Sequence, residues 1–196
     1  GGLALSLPLM GLIALLVRLD SKGPAFDRQE RCGQNEKPFR LIKFRTMRAD
    51  LEGHAGPVWA SERDYRVTRV GRWLRSTRLD EIPQFINVLM GDMSFVGPRP
   101  ERPFFVEKLK KEIAYYGLRF AVKPGLTGWA QVQYHYGASV EDAIEKLKYD
   151  LYYVKNYNLL FDLWIALKTV KVVLFARGGV LGGADRVRAL WARRSR

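Results

Sequence analysis

The chain has 196 residues, with 33 Lys+Arg against 20 Asp+Glu, a formal net charge of +13, 47% hydrophobic and 27% charged residues. That hydrophobic share can bury a core, the charged share excludes a pure membrane bundle, and the single cysteine, Cys32, excludes an internal disulfide and suits a reducing compartment. The cation excess points to anionic partners: a phospholipid surface, a nucleotide or a nucleic acid. Leu3 to Val17 form an uncharged apolar run followed, not preceded, by the basic residues Arg18 and Lys22, which is the reverse of a signal peptide. The run is shorter than the ~20 apolar residues of a spanning helix. Pro8 lies in its middle and predicts a break there, with Ser6 placed to satisfy a freed carbonyl. A short broken apolar helix of this kind dips into one leaflet and returns more readily than it crosses. The chain opens Gly1-Gly2 without methionine and reads as a piece of a longer protein.

After the turn Asp20-Ser21-Lys22-Gly23-Pro24, two strands are predicted over Ala25–Arg31 and Phe39–Met47, joined through Gly33-Gln34-Asn35-Glu36. Leu51–Asp64 is polar and irregular, as a loop is. Short helices follow over Val67–Arg75 and Ile82–Met90, then a proline-stiffened loop from Gly91 to Pro103. Phe104–Tyr116 and Asn158–Ala176 have the periodicity of helices with apolar faces flanked by Lys and Arg, the pattern of interfacial helices. Between them lie the loop Lys123–Gly128 and a helix from Ser139 to Tyr153, with Glu141 and Asp142 favouring its start. The tail Asp185–Arg196 is basic. The expected fold class is α+β: mostly helical, with a small antiparallel hairpin, an N-terminal re-entrant membrane helix over 1–22, a catalytic domain over 23–177 and a basic tail over 178–196.

The densest chemistry is Ser76-Thr77-Arg78-Leu79-Asp80-Glu81-Ile82-Pro83-Gln84. Thr77 reads as a helix N-cap, which places Asp80 and Glu81 in the first turn, where unpaired N–H groups favour negative charge. Alone, that pattern reads equally as a stabilised helix start. Its surroundings add to it: Arg75 lies just upstream, and Arg99 sits in Gly97-Pro98-Arg99-Pro100, where flanking prolines restrict the backbone of a guanidinium able to grip phosphate. Lys43 and Arg45, two apart on a predicted strand, share one face. Each cation alone reads as a solvated surface charge; several around a carboxylate pair do not. Two carboxylates that flank a glycosidic bond stand ~5 Å or more apart across the sugar, which neighbours on one turn do not easily do. A pair of adjacent carboxylates suits Mg²⁺ with phosphate oxygens, and leaves one carboxylate able to attack phosphorus. The two histidines, His54 and His135, lie far apart and form no zinc pattern; a Walker loop and a dinucleotide fingerprint are also lacking.

The ordered motifs resemble the catalytic domain of monotopic bacterial phosphoglycosyl transferases, the bacterial sugar transferase family, over about residues 6 to 177. They are Gly23-Pro24, Gln29-Glu30-Arg31, Lys43-Phe44-Arg45-Thr46-Met47, Leu74-Arg75-Ser76-Thr77, Asp80-Glu81-Ile82-Pro83-Gln84, Asn87-Val88-Leu89, Gly91 to Pro100, Lys123 to Val132, Tyr149-Asp150 to Tyr153, and Asp162. The resemblance implies transfer of a sugar-1-phosphate from a UDP-sugar to a polyprenyl (undecaprenyl) phosphate with release of UMP, at the start of exopolysaccharide or glycoconjugate assembly. In that scheme Asp80 is the nucleophile that carries the phosphosugar and Glu81 the Mg²⁺ ligand. Arg75 and Arg99 contact phosphate, and Lys43, Arg45, Asp92 and Asp150 are weaker carry-overs for substrate binding.

It also implies a re-entrant helix at Ser6 and Pro8, here separated by Leu7, and a place on the cytoplasmic face of the bacterial inner membrane against anionic phospholipid. Nucleic acid is not an implied partner, and a homodimer is compatible with the family. Gln133 to Ser139 replaces a short Gly-Arg segment of the family. The rival readings are a non-catalytic basic module for membrane or nucleic acid, and a UDP-sugar hydrolase. The first predicts that Asp80→Asn changes nothing; the second predicts product without a polyprenyl phosphate.

Overall fold

The computed structural model describes residues 2–48, 64–134 and 139–175, and no side chains of 2–6 or 173–175. The expected loop over 51–64 (but for Asp64), the side chain of Ser6, residues 135–138 and the basic tail lie outside the described residues. The first helix, α1 (Gly2–Asp20), runs through Pro8. Against the break expected at Pro8, helical backbone lies on both sides of it. Proline there removes the one rung its N–H would donate to the Ala4 carbonyl, and the leucine-rich turns on either side carry the helix past it. Met10, Ile13 and Val17, spaced three and four apart, are buried on one side of α1, whereas Leu7, Leu12, Leu15 and Leu19 are exposed. No helix among the described residues is long and apolar enough to cross a membrane.

The hairpin pairs β1 (Phe26–Cys32) with β2 (Pro38–Phe44) antiparallel, Asp27 opposite Lys43 and Arg31 opposite Phe39. Its turn uses left-handed backbone at Asn35 and Glu36. The second strand is shorter than expected: beyond Phe44 only Met47 pairs, as an isolated bridge to Val67. Phe44 stacks on Phe26 at 5.2 Å and enters a core with Met10, Ile13, Val17 and Leu74. The other face carries Asp27, Gln29, Arg31 and Lys43.

Helix α2 (Arg69–Thr77) starts at Thr68, whose hydroxyl accepts from the Gly71 amide at 2.9 Å, and the Asp20 carboxylate at the end of α1 accepts from the Val70 amide at 3.0 Å. Gly71 lies against the backbone of Thr46 so closely that a Cβ would stand 2.1 Å from the Thr46 carbonyl oxygen. The chain then makes a 3₁₀ turn over Leu79–Glu81 and enters α3 (Gln84–Met90). Contrary to expectation, Thr77 does not cap the turn after it. Its hydroxyl turns back to the Trp73 and Leu74 carbonyls, and Arg78, with φ 60°, ends α2 in left-handed backbone.

Two segments expected as loops pair instead: β3 (Ser94–Val96) lies parallel to β4 (Gly125–Thr127). The helices α4 (Pro103–Glu112), α5 (Trp129–Gln133), α6 (Val140–Asn156) and α7 (Leu159–Phe175) complete the α+β architecture. A reciprocal Ser139–Asp142 capping box opens α6. The expected interfacial role of the segment after Pro103 is corrected. Val106, Leu109 and Ile113 pack into a core with Cys32, Tyr116, Phe120 and Leu147, and Phe105 is buried too, so most of the apolar face of α4 is spent inside the protein. By contrast α7 buries Ile165 and exposes Leu159, Leu160, Leu163 and Leu167.

The β3–β4 contact depends on glycine. A Cβ on Gly125 would lie 2.1 Å from the Gly97 nitrogen and 2.3 Å from the Thr127 oxygen. Backbone cannot yield as a flexible side chain can, so Gly125→Ala is expected to destabilise the fold by about 2–4 kcal/mol, read as a lowered midpoint in denaturant unfolding.

Candidate active site

Leu79 and Ile82 pack into the core beneath α1. They anchor the 3₁₀ turn from both ends and leave Asp80 and Glu81 between them beside β2. Asp80 is only 8% exposed, and its Oδ1 is buried with no hydrogen-bond partner. Burial, then the neighbouring Glu81 charge, push its carboxyl up to about 6, against the opposing pull of Lys43, Arg99 and Arg75. Glu81 goes the other way. Burial opposes its ionisation, but Arg99, Arg78 and Lys43 outweigh it and hold the carboxyl below the ordinary range. Arg99 Nη2 donates to Glu81 Oε1 at 2.6 Å and Nη1 to Oε2 at 3.2 Å, the two-pronged geometry of a guanidinium on a carboxylate. Arg78 Nη1 lies 3.6 Å from the same carboxylate.

Of the residues expected around this pair, the structure brings Lys43, Arg75 and Arg99 to it. Lys43 reaches it from β2 while paired with Asp27 at 3.3 Å. Asp27 accepts from Gln29 Nε2 at 2.9 Å, and Gln29 accepts from Arg31 Nη2 at 2.9 Å, so alternate residues of β1 form a polar ladder on one hairpin face. Arg75 Nε donates to Thr46 Oγ1 at 2.9 Å.

Arg45 belongs elsewhere. It is 4% exposed, and its guanidinium donates to the carbonyls of Val17, Ser21 and Lys22. They lie at and just past the C-terminal end of α1, where a cation is favoured; the Val17 carbonyl also accepts from the Ser21 amide at 3.3 Å. Strand alternation fails for Arg45 because the strand ends at Phe44. Asp150 is also away from the carboxylate pair, buried on α6 with Arg119 Nη2 at 2.7 Å. Asp92 accepts from Asn87 Nδ2 at 3.2 Å, and Asn87 pins α3 to β2 by accepting from the Ile42 amide and donating to the Arg40 carbonyl.

Sequence reasoning missed Asp27, Arg31, Arg78 and Arg119. The alternation Asp27-Gln29-Arg31 on a predicted strand is a signal that could have found the ladder. Arg119 stands among apolar residues with no local signal.

The donor chemistry fits a hard divalent cation. Asp80 offers a buried oxygen that nothing among the described residues satisfies, and Glu81 is an ionised carboxylate beside it. Among the described residues no cluster of three or more His, Cys, Asp or Glu side chains is poised to hold a metal. Two such carboxylates are compatible in donor type with Mg²⁺, which takes one or two carboxylates and completes its shell with phosphate and water.

Burying an ionised Asp80 costs stability, and the sign follows from its raised pKa. The folded protein holds this proton to about pH 6, whereas the unfolded chain releases it in the ordinary carboxylate range. Stability is therefore lost as pH rises through that interval and stays lost above it. Asp80→Asn is expected to be more stable than the parent by about 1–3 kcal/mol at pH 7, with the gain vanishing near pH 4 in paired unfolding curves.

The family model described as bacterial sugar transferase matches residues 1–176. The chain is 46% identical over 171 residues to UDP-N-acetylgalactosamine-undecaprenyl-phosphate N-acetylgalactosaminephosphotransferase of Aeromonas hydrophila, covering 87% of this chain and 40% of that protein. It is 44% identical over 167 residues to UDP-glucose:undecaprenyl-phosphate glucose-1-phosphate transferase of Escherichia coli K12, covering 83% and 35%. It is 40% identical over 171 residues to the exopolysaccharide production protein PSS of Rhizobium leguminosarum, covering 83% and 84%. The chain spans well under half the length of the first two relatives. A match over nearly the whole described structure, and over every motif of the carboxylate site, shows that this chain belongs to the bacterial sugar transferase family.

Proposed function

We propose that the chain is a phosphoglycosyl transferase domain that moves a sugar-1-phosphate from a UDP-sugar to a polyprenyl phosphate and releases UMP. The observation that carries this reading is the buried Asp80 oxygen without a partner, beside a Glu81 fixed by Arg99. Lys43, Arg75, Arg78 and Arg99 surround the two carboxylates, an excess of positive charge suited to a diphosphate. The names of the relatives, two of which specify undecaprenyl phosphate, support the acceptor.

In this mechanism Asp80, ionised above about pH 6, is the nucleophile. Its carboxylate oxygen forms a bond to the phosphorus that bears the sugar, and the anhydride bond breaks with the electron pair leaving on UMP. A phosphate oxygen of the polyprenyl carrier then attacks the same phosphorus, and the Asp80 carboxylate departs. Glu81 and Asp80 would hold Mg²⁺, which when bound neutralises the diphosphate and eases loss of UMP. Arg99 keeps Glu81 ionised and oriented, while Lys43 and Arg75 offset the charge that accumulates at phosphorus.

A carrier lipid requires the site to stand at a bilayer. We assign that contact to the exposed leucines of α1 and α7, with Arg18 and Lys22 at the exit of α1 facing anionic headgroups. One side of α1 is buried on the protein body, so the lipid-facing side enters one leaflet, on the cytoplasmic face of the inner membrane.

Intact-protein mass after incubation with Mg²⁺ and a panel of UDP-sugars without lipid tests the chemistry. Two sugars, N-acetylgalactosamine and glucose, occur in the relatives' names and belong in the panel. The expected result is a gain of one phosphosugar, abolished in Asp80→Asn. UMP release that strictly needs polyprenyl phosphate, with no adduct, would sink the nucleophile role; steady UMP release without lipid would favour a hydrolase. Separately, a double substitution Leu12→Asp and Leu19→Asp is expected to lower flotation with phosphatidylglycerol vesicles several-fold while the unfolding midpoint stays close to the parent's.

A further inference from the structure

We propose that Arg31 and Arg119 are positioning residues that deliver Arg99 to Glu81 by gripping the backbone of the loop that carries it. Four successive carbonyls of this loop each accept a hydrogen bond from a residue distant in sequence, two of them from β1. Gly125 N–H donates to Pro98 at 3.0 Å, and Cys32 N–H donates to Glu101 at 2.9 Å. Between these, Arg119 Nη2 donates to the Arg99 carbonyl at 2.9 Å, and Arg31 Nη1 donates to the Pro100 carbonyl at 3.0 Å. Pro98 and Pro100 have no amide hydrogen, so the loop offers chiefly carbonyls as handles. The two backbone donors hold its ends, and the two arginines hold the Arg99 and Pro100 carbonyls next to the functional side chain.

Both arginines are themselves fixed. Arg119 is 6% exposed, pairs with Asp150 at 2.7 Å and donates to Tyr116 Oη at 2.7 Å. Arg31 is held by Gln29 at the end of the hairpin ladder and lies 3.8 Å from Glu101. A buried ion pair such as Arg119–Asp150 is a poor way to add stability, because desolvation offsets most of its Coulomb gain. Its geometry does something an apolar pair could not: it fixes a multi-toothed donor against one loop carbonyl. The same ladder that ends at Arg31 begins at Lys43, so the hairpin face sets the cation beside Asp80 and the loop that orients Glu81.

The kinetic arm of the test rests on the transferase reading; the exchange arm does not. Hydrogen–deuterium exchange of the whole protein across residues 97–106 is compared for the parent, Arg31→Gln and Arg119→Lys. Lysine keeps the charge against Asp150 but loses the fork. The expected result is faster exchange in both variants, with a fall in kcat of about 10- to 100-fold, the scale of a sub-ångström to ångström misplacement. Each substitution is then repeated with Arg99→Lys. If the arginines act through Arg99, the second loss is largely absent once Arg99 is changed. Unchanged exchange, or losses that multiply in the double variants, would overturn the proposal. Faster exchange in a protein that transfers no phosphosugar with any donor would keep the positioning role and remove the transferase reading. Should Arg119→Lys fail to fold, Arg31→Gln, which leaves the Arg119–Asp150 pair whole, carries both arms.

Discussion

Two carboxylates on neighbouring residues repel one another, and burial sharpens the repulsion. Like charges 4 Å apart at an effective dielectric of 20 oppose each other by about 4 kcal/mol. The protein resolves this by treating the two differently. Arg99 clamps Glu81 through both oxygens and keeps it ionised. Asp80 receives no such clamp, and its proton affinity rises. One carboxylate becomes a fixed charge and the other a group of raised proton affinity whose buried oxygen has no partner among the described residues. Neighbouring groups with pKa values driven apart in this way are suited to different roles in one reaction. Every other feature of the site serves that asymmetry: the rigid Arg99 loop, the Lys43–Asp27 pair, and the 3₁₀ turn that presents both carboxylates at once.

The turn is held by the core that also receives α1. Met10, Ile13 and Val17 meet Phe44 and Leu74, and Leu79, Ile82 and Ile86 pack against the same cluster. A helix whose other side is leucine-rich and exposed is thus built into the floor of the carboxylate site. Polar ties reinforce the apolar ones. Arg45 closes the end of α1, Asp20 caps α2, and Thr46, next to Arg45, holds Arg75. The distance from the exposed leucines of α1 to Asp80 is then a property of one packed unit, not of a flexible linker. The proposed transfer between a soluble donor and a bilayer carrier would need such a fixed depth.

The cation excess of the chain is not spread idly. Part of it surrounds Asp80 and Glu81, and part is structural: Arg45 on helix carbonyls, Arg119 and Arg31 on loop carbonyls. The guanidinium suits both tasks because it presents several donors in a rigid fork and stays charged when buried. The same residue type therefore meets a side-chain carboxylate in one place and backbone carbonyls in another.

Local sequence determined a good deal here. The hairpin turn, the α6 cap at Ser139, the stiff frame of Pro98 and Pro100 and the adjacent Asp80-Glu81 pair are effects of nearest neighbours, and each was legible. What sequence alone could not settle were matters of contact between distant segments. Whether Arg45 faces phosphate or the end of α1 depends on where α1 stops in space. Whether the apolar face of α4 meets lipid or protein depends on Tyr116, Phe120 and Leu147 arriving from elsewhere. The β3–β4 pairing joins three-residue strands 31 positions apart, as in Ser94 with Gly125, too short for any periodicity to show. The placement of Arg119 behind Arg99 likewise comes only from packing. Local patterns decide which groups a segment carries and how its backbone bends; burial and charge pairing across the chain decide which of those groups are left free to do chemistry.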